Sequence, residues 1–319
     1  MTLSIATIEA ATGLLSGRIR RTPLEASPRL SERLAGSAVM KLEHLQVTGS
    51  FKVRGAFVAM SALGERDKRA GIVTASAGNH GKAVAYVARI LGVSATVYLP
   101  DSVDESKLRG IAALGAEIVR APEPGYDETE RRARDAAAGS GRTFLSAFDD
   151  DGVIAGNGGT LAAEVLADFP EARTFVLPVG GGGLSAGFAL YAKERVPGCR
   201  IVGCQLESSP ALAMSLERGE AVTTLPPVET AAGGLEGGIG RRTFEILRSR
   251  VDAVALCSEE EILEAVRWTF AEHQYVVEPS AAVVVAAALS GKLGSLVPPV
   301  VFVLSGRNVA LPTLRRILA

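Results

Sequence analysis

Seven short runs of aliphatic and β-branched residues recur along the 319-residue chain: 38-AVMKLE-43, 72-IVTAS-76, 95-ATVYLP-100, 117-EIVRA-121, 174-TFVLPV-179, 200-RIVGCQ-205 and 300-VVFVL-304. Several are apolar on both faces, as strands buried inside a parallel sheet must be. Helical patterns fill the intervals, among them 80-HGKAVAYVARILG-92 and 160-TLAAEVLADF-169. The clearest helix start is 258-SEEEILEAVRWTF-270. There Ser258 and Glu261 form a capping box, and Ile262, Val266 and Thr269/Phe270 keep one face apolar. Strands alternating with helices predict an α/β fold with ligands at the carboxyl ends of the strands. No linker, charge block or low-complexity tract divides the chain, so two domains would be interleaved and not joined end to end.

Composition narrows the partners. Lys and Arg total 34 against 35 Asp and Glu, which gives no electrostatic reason for a nucleic-acid or anionic-membrane partner. Apolar residues make up 47% and aromatics only 5%, which suits a large core of small aliphatic side chains. Cys199, Cys204 and Cys257 cannot all pair and have no CxxC spacing, as in a reduced intracellular protein. The N-terminus has no basic leader region and carries Glu9, so it reads as a short amphipathic helix. The run 281-AAVVVAAAL-289 is too short to span a bilayer. A soluble cytoplasmic protein is expected.

Four stretches carry chemistry. In 176-VLPVGGGGLSAG-187 a strand runs into four glycines and then a helix starting near Leu184 or Ser185. Such a turn exposes backbone N–H groups at a positive helix terminus, a site for phosphate. Gly181, Gly183 and Ala186 also fit a GxGxxA dinucleotide spacing, with Glu207 about 20 residues further on. An NAD-dependent oxidoreductase therefore stays open; a P-loop NTPase, lacking GxxxxGK[ST], does not. The second stretch, 74-TASAGNHGKAVA-85, is another strand-to-helix turn, suited to a carboxylate. His80 there either faces a ligand or packs beneath the turn. No His/Cys/carboxylate cluster has zinc-ligand spacing.

The third is 48-TGSFKVRGA-56. With Ser50 as N-cap, Lys52 falls in a first helical turn, where the macrodipole and burial beside Phe51 both favour a neutral, nucleophilic amine. The competing reading is an ordinary solvated charge. The fourth, 300-VVFVLSGRN-308, places Ser305 at a strand's carboxyl end.

Taken with 22-TPL-24, 41-KLEHLQVTGSFKVRGA-56, 76-SAGNHG-81 and 277-VEPSAA-282, these stretches resemble the fold-type II enzymes dependent on pyridoxal 5'-phosphate (PLP), in the threonine/serine dehydratase and serine racemase branch. The resemblance implies a tryptophan synthase β-like α/β fold of two interleaved domains, each with a mainly parallel sheet. Residues 1–47 plus 146–319 would form the large PLP-binding domain and 48–145 the small domain that closes on the substrate. By position, Lys52 matches the Schiff-base lysine, Phe51 the residue flanking the ring and Asn79 the donor to its 3'-oxygen. Gly180, Gly181, Gly182, Gly183 and Leu184 match the phosphate cup, Ser305 the partner of the pyridine nitrogen, and Gly234 and Glu278 further cofactor contacts. Ser76, Ala77, Gly78, Asn79 and His80 match the loop that holds the substrate carboxylate. The implied reaction is loss of water from L-threonine or L-serine, giving a 2-oxo acid and ammonia, in a homodimer. Lys52 would take the Cα proton.

Several positions depart from the family pattern. Ala77 replaces the serine of the racemases, which makes racemisation the lesser expectation. Gln205 and Ala211 stand where the family draws on acids for a cation, so no metal is expected. Gly233 stands where many members have Asp. Lys82 replaces a common glutamine and Arg307 a glycine. These added cations raise the alternative of a more specialised β-hydroxy amino acid, such as 3-hydroxyaspartate or a hydroxyectoine-derived compound. The chain ends soon after Ser305, so a C-terminal regulatory domain is not expected.

Overall fold

A computed structural model describes residues 1–76, 78–101, 105–122 and 126–319, with backbone alone at 105–107 and 126–127. Among these residues ten strands form two sheets. They are β1 (Leu24–Ala26), β2 (Ala38–Lys41), β3 (Ile72–Ala75), β4 (Ala95–Pro100), β5 (Glu117–Ala121), β6 (Thr143–Phe144), β7 (Thr174–Pro178), β8 (Arg200–Leu206), β9 (Ala253–Cys257) and β10 (Val300–Val303). The larger sheet runs β1-β2-β10-β7-β8-β9 and the smaller β5-β4-β3-β6. Of these ten, only β1 pairs antiparallel, against β2. All seven expected strands are present. The three additional ones are short or lie at the margin: β1 and β6 have three and two residues, and β9 is an Ala-rich edge strand.

Helices cover the larger sheet on both faces because its strands are apolar on both sides. The helix Pro279–Leu289, PSAAVVVAAAL, is buried all round between the sheet and the helix Glu259–His273, which explains its lack of a polar face. At the latter, both halves of the Ser258/Glu261 capping box form. The helix Gly183–Arg195 packs on the opposite face with Thr160–Asp168. The N-terminal helix spans Ile5–Leu15. No helix among the described residues is long and apolar enough to cross a membrane.

A glycine-rich π-turn at 155–159, AGNGG, ties together the segments that carry the site. A Cβ on Gly158 would lie 1.8 Å from the Leu184 carbonyl oxygen, and one on Gly156 would lie 2.6 Å from that of Arg54. These glycines let the π-turn touch the helix after the glycine loop and the helix Lys52–Ser61 backbone to backbone.

Candidate active site

Lys52 is the first residue of its helix, but Ser50 is not the cap. Phe51 occupies that place, and no side chain among the described residues caps the helix. Ser50 instead forms a backbone bridge with Gly306, and its buried hydroxyl has no partner among the described residues. Phe51 N donates to the Ser305 carbonyl at 3.1 Å, so the Lys52 turn is stitched to the loop after β10. The Lys52 amine donates to the Ala147 carbonyl at 2.8 Å and lies 5.1 Å from the Phe51 ring centroid. Burial pushes it down to about 8, against a smaller upward pull from Glu278. A sizeable neutral fraction is thus present near neutral pH, unlike on a solvated lysine.

The glycine loop begins two residues after β7, and Gly182 has φ +89°. Its fit to the surroundings is tight: a Cβ on Gly181 would lie 2.3 Å from the Phe148 ring, and one on Gly180 2.3 Å from the Gly234 carbonyl. Gly234 N is fixed by Ser280 Oγ at 2.9 Å. Among the described residues, no backbone or side-chain acceptor takes the N–H groups of Gly180, Gly181, Gly182, Gly183 or Leu184. Gly182, Gly183 and Leu184 are buried. Buried amides without acceptors call for an anion, and the helix Gly183–Arg195 adds its positive terminus. Together with a depressed lysine amine, this donor set fits a phosphorylated aldehyde such as PLP.

Asn79 opens the helix Asn79–Leu91 and is held at both ends of its carboxamide. Its Nδ2 donates to Glu278 Oε1 at 2.6 Å, and its Oδ1 accepts from Asn308 Nδ2 at 2.5 Å. Glu278 N donates to the Gly306 carbonyl at 3.0 Å, and a Cβ on Gly306 would lie 2.6 Å from Glu278 Oε1. These bonds bring Phe51, Lys52, Asn79, Glu278 and Ser305 together, with the glycine loop adjoining them through Phe148, next to Ala147. Ser76 Oγ accepts from Gly78 N at 3.2 Å; Ala77 lies outside the described residues.

His80 corrects part of the expectation for the carboxylate loop. His80 is 2% exposed and its Nε2 sits 3.4 Å from the Leu145 carbonyl, so its side chain packs inward beneath the turn. Burial, then the Lys52 charge, push it down to about 3, and it stays neutral. Gln205 uses its amide on the Val179 carbonyl and Ala213 N, at 3.4 and 3.0 Å. No group of three His, Cys, Asp or Glu among the described residues could hold a metal ion. Glu207 is exposed beyond β8.

The sequence reading missed the support beneath Lys52. Arg54 is 1% exposed and grips Glu43 with Nε to Oε2 and Nη2 to Oε1, both at 2.8 Å; Nη2 also reaches Glu164 Oε2 at 2.9 Å. Lys41, 0% exposed, donates to Glu164 Oε1 at 2.5 Å and to the Thr22 carbonyl at 2.7 Å. Two cations and two carboxylates therefore balance inside the protein and hold the Lys52 helix against β2 and the helix Thr160–Asp168. Lys41, Glu43 and Arg54 all lie inside the quoted 41–56 stretch. No local signal marks their partner Glu164, or Phe148.

A family model described as pyridoxal-phosphate dependent enzyme matches residues 15–306. The L-threonine ammonia-lyase of Geobacter sulfurreducens is 38% identical over 307 residues, covering 96% of this chain and 76% of that protein. Among solved structures, maize serine racemase superposes with a TM-score of 0.91 at 30% identity, covering 99% of this chain and 97% of that one. The T.th. threonine deaminase does so with a TM-score of 0.88 at 37% identity, covering 97% and 99%.

Proposed function

The chain belongs to the pyridoxal-phosphate dependent enzyme family, and from that premise we propose that it eliminates water from L-threonine or L-serine to give an enamine, which water then hydrolyses to a 2-oxo acid and ammonia. The observation that carries the reading is the meeting of a depressed lysine amine, Lys52, with buried glycine-loop amides that lack acceptors among the described residues. Bound PLP supplies the electron sink for charge developing at Cα. The amides of Gly180–Leu184 would hold its phosphate, and Lys52 would be the lysine that carries the cofactor. With PLP bound, the Lys52 amine would be the general base that takes the Cα proton. Asn79 would donate toward the ring's 3'-oxygen. Ser305 would be the neutral partner of the ring nitrogen. The turn 76–80, at the positive end of a 13-residue helix, takes the substrate carboxylate.

In this reading residues 48–145, which contain the smaller sheet, form the domain that closes on the substrate; 1–47 and 146–319 form the other. The enzyme works as a cytoplasmic homodimer. The dinucleotide alternative is set aside with the family assignment, and Glu207, its ribose partner, is exposed to solvent.

A second substrate class has a specific observation behind it. Neither Lys82 nor Arg307 forms an ion pair among the described residues. Partial burial, then Arg307, lower the pKa of the Lys82 ammonium. Lys82 and Arg307 together outnumber Glu278, the carboxylate that acts on Lys82, and such a surplus of positive charge suits a β-hydroxy amino acid with a second carboxylate. Release of 2-oxo acid from L-threonine, L-serine and 3-hydroxyaspartate decides between the two. A higher kcat/KM for threonine or serine supports the first; a clear preference for 3-hydroxyaspartate replaces it with the second. No release from any of them sinks the dehydratase reading.

A further inference from the structure

Lys82 lies one turn into the helix Asn79–Leu91, and its ammonium donates to Asn308 Oδ1 at 2.9 Å. Asn308 Nδ2 donates to the Thr48 carbonyl at 2.9 Å and to Asn79 Oδ1 at 2.5 Å. Asn79 Nδ2 donates to Glu278 Oε1 at 2.6 Å. The four side chains form one directed chain, from an ammonium through two carboxamides to a carboxylate.

An ammonium can only donate and a carboxylate can only accept, so the two ends fix which way both amides point. The Thr48 carbonyl demands the same orientation of Asn308. Reversed amides would set Asn308 Oδ1 against the Thr48 oxygen and Asn79 Oδ1 against Glu278, leaving buried acceptors facing acceptors. Asn79 Nδ2 carries two hydrogens, and Glu278 takes one. The second is left to face a ligand as a donor.

We propose that Lys82 is a positioning residue: by terminating this relay it holds the Asn79 carboxamide with its N–H group, not its oxygen, toward the bound cofactor. The ammonium polarises each amide in turn and strengthens the final N–H as a donor. The relay also bridges the two sheets' segments, since Lys82 and Asn79 follow β3 whereas Asn308 follows β10. The inference rests on the reading that Asn79 faces PLP.

Titration of the apoprotein with PLP tests it, with thermal melting of the same apoproteins as control. Lys82→Met is expected to weaken PLP binding roughly tenfold, the worth of one charge-assisted hydrogen bond. The apoprotein melting temperature should stay unchanged. Lys82→Gln retains an N–H for Asn308 Oδ1 and should restore affinity to within about threefold. In an Asn79→Ala background, Lys82→Met should cause no further loss, because it acts through the missing amide. An undiminished loss in that background overturns the proposal, as does a loss that merely follows a lower melting temperature. Equal damage from Lys82→Gln and Lys82→Met overturns it too. PLP binding by the parent protein tests the cofactor reading separately.

Discussion

Replacing Arg54 with Met strips three hydrogen bonds from two carboxylates that have almost no access to water. Glu43, at 0% exposure, keeps only the Thr22 hydroxyl, at 2.5 Å from Oε1, and the more distant Lys41 charge. In the intact protein, burial alone would raise the Glu43 carboxyl, but the charge and hydrogen bonds of Arg54, with Lys41, hold it below the usual carboxylate range. Breaking a buried pair from one side costs about 3–5 kcal/mol, a large share of the roughly 5–15 kcal/mol that holds a protein folded. Urea unfolding, followed by circular dichroism and by the fluorescence of Trp268, the single tryptophan, should show a loss of that size. Adding Glu43→Gln to Arg54→Met leaves Lys41 and Glu164 balanced and should recover more than half of it. The loss should also shrink between about pH 7 and pH 5. With its pKa depressed below 4.5, parental Glu43 keeps its full contribution across this window and loses it only at lower pH. Without Arg54, burial raises the carboxyl, so the penalty is relieved by protonation as pH falls. A loss under about 1 kcal/mol, additive effects in the double variant, or a pH-independent loss would refute the charge-balance argument.

Capture of PLP by the apoprotein should accelerate as pH rises through about 8, where the Lys52 amine loses its proton, and level off above it; stopped-flow absorbance would reveal instead a rise continuing toward 10.5 if the amine were solvated. Gly158→Ala places a methyl 1.8 Å from the Leu184 carbonyl, so it should cost at least about 1–3 kcal/mol in urea unfolding and weaken PLP binding. A stable variant with parental affinity would show that this close approach is dispensable. Gly181→Ala drives a Cβ to 2.3 Å from the Phe148 ring and should impair PLP binding, measured by the same titration.

Much of the fold was legible because parallel strands buried on both faces announce themselves as apolar runs. Of the strands that escaped, β1 and β6 are too short to show a pattern, and β9 is an Ala-rich strand at the sheet's edge. The stretches of the candidate site stood out in the sequence because the glycine loop, Ser305, Asn79 and Lys52 sit at a strand's carboxyl end or a helix start. Ser50 was misread because its backbone is claimed by Gly306 across 256 residues, which no local capping rule anticipates. His80 faces inward because the Leu145 carbonyl lies beneath the turn. The Lys41–Glu164 and Arg54–Glu164 pairs span 123 and 110 positions, and their partners look like ordinary surface charges until the chain is folded. The direction of the Asn79 amide was equally hidden, since it is set by Lys82, Asn308 and Glu278 together.

The central claim is that one lysine amine is placed to hold the cofactor. Borohydride reduction of the PLP-loaded protein, followed by proteolysis and mass spectrometry, locates the lysine that carries the pyridoxyl group. The account predicts a single modified peptide with the label on Lys52. A label on Lys41, Lys82 or any other lysine, or none at all, would contradict it.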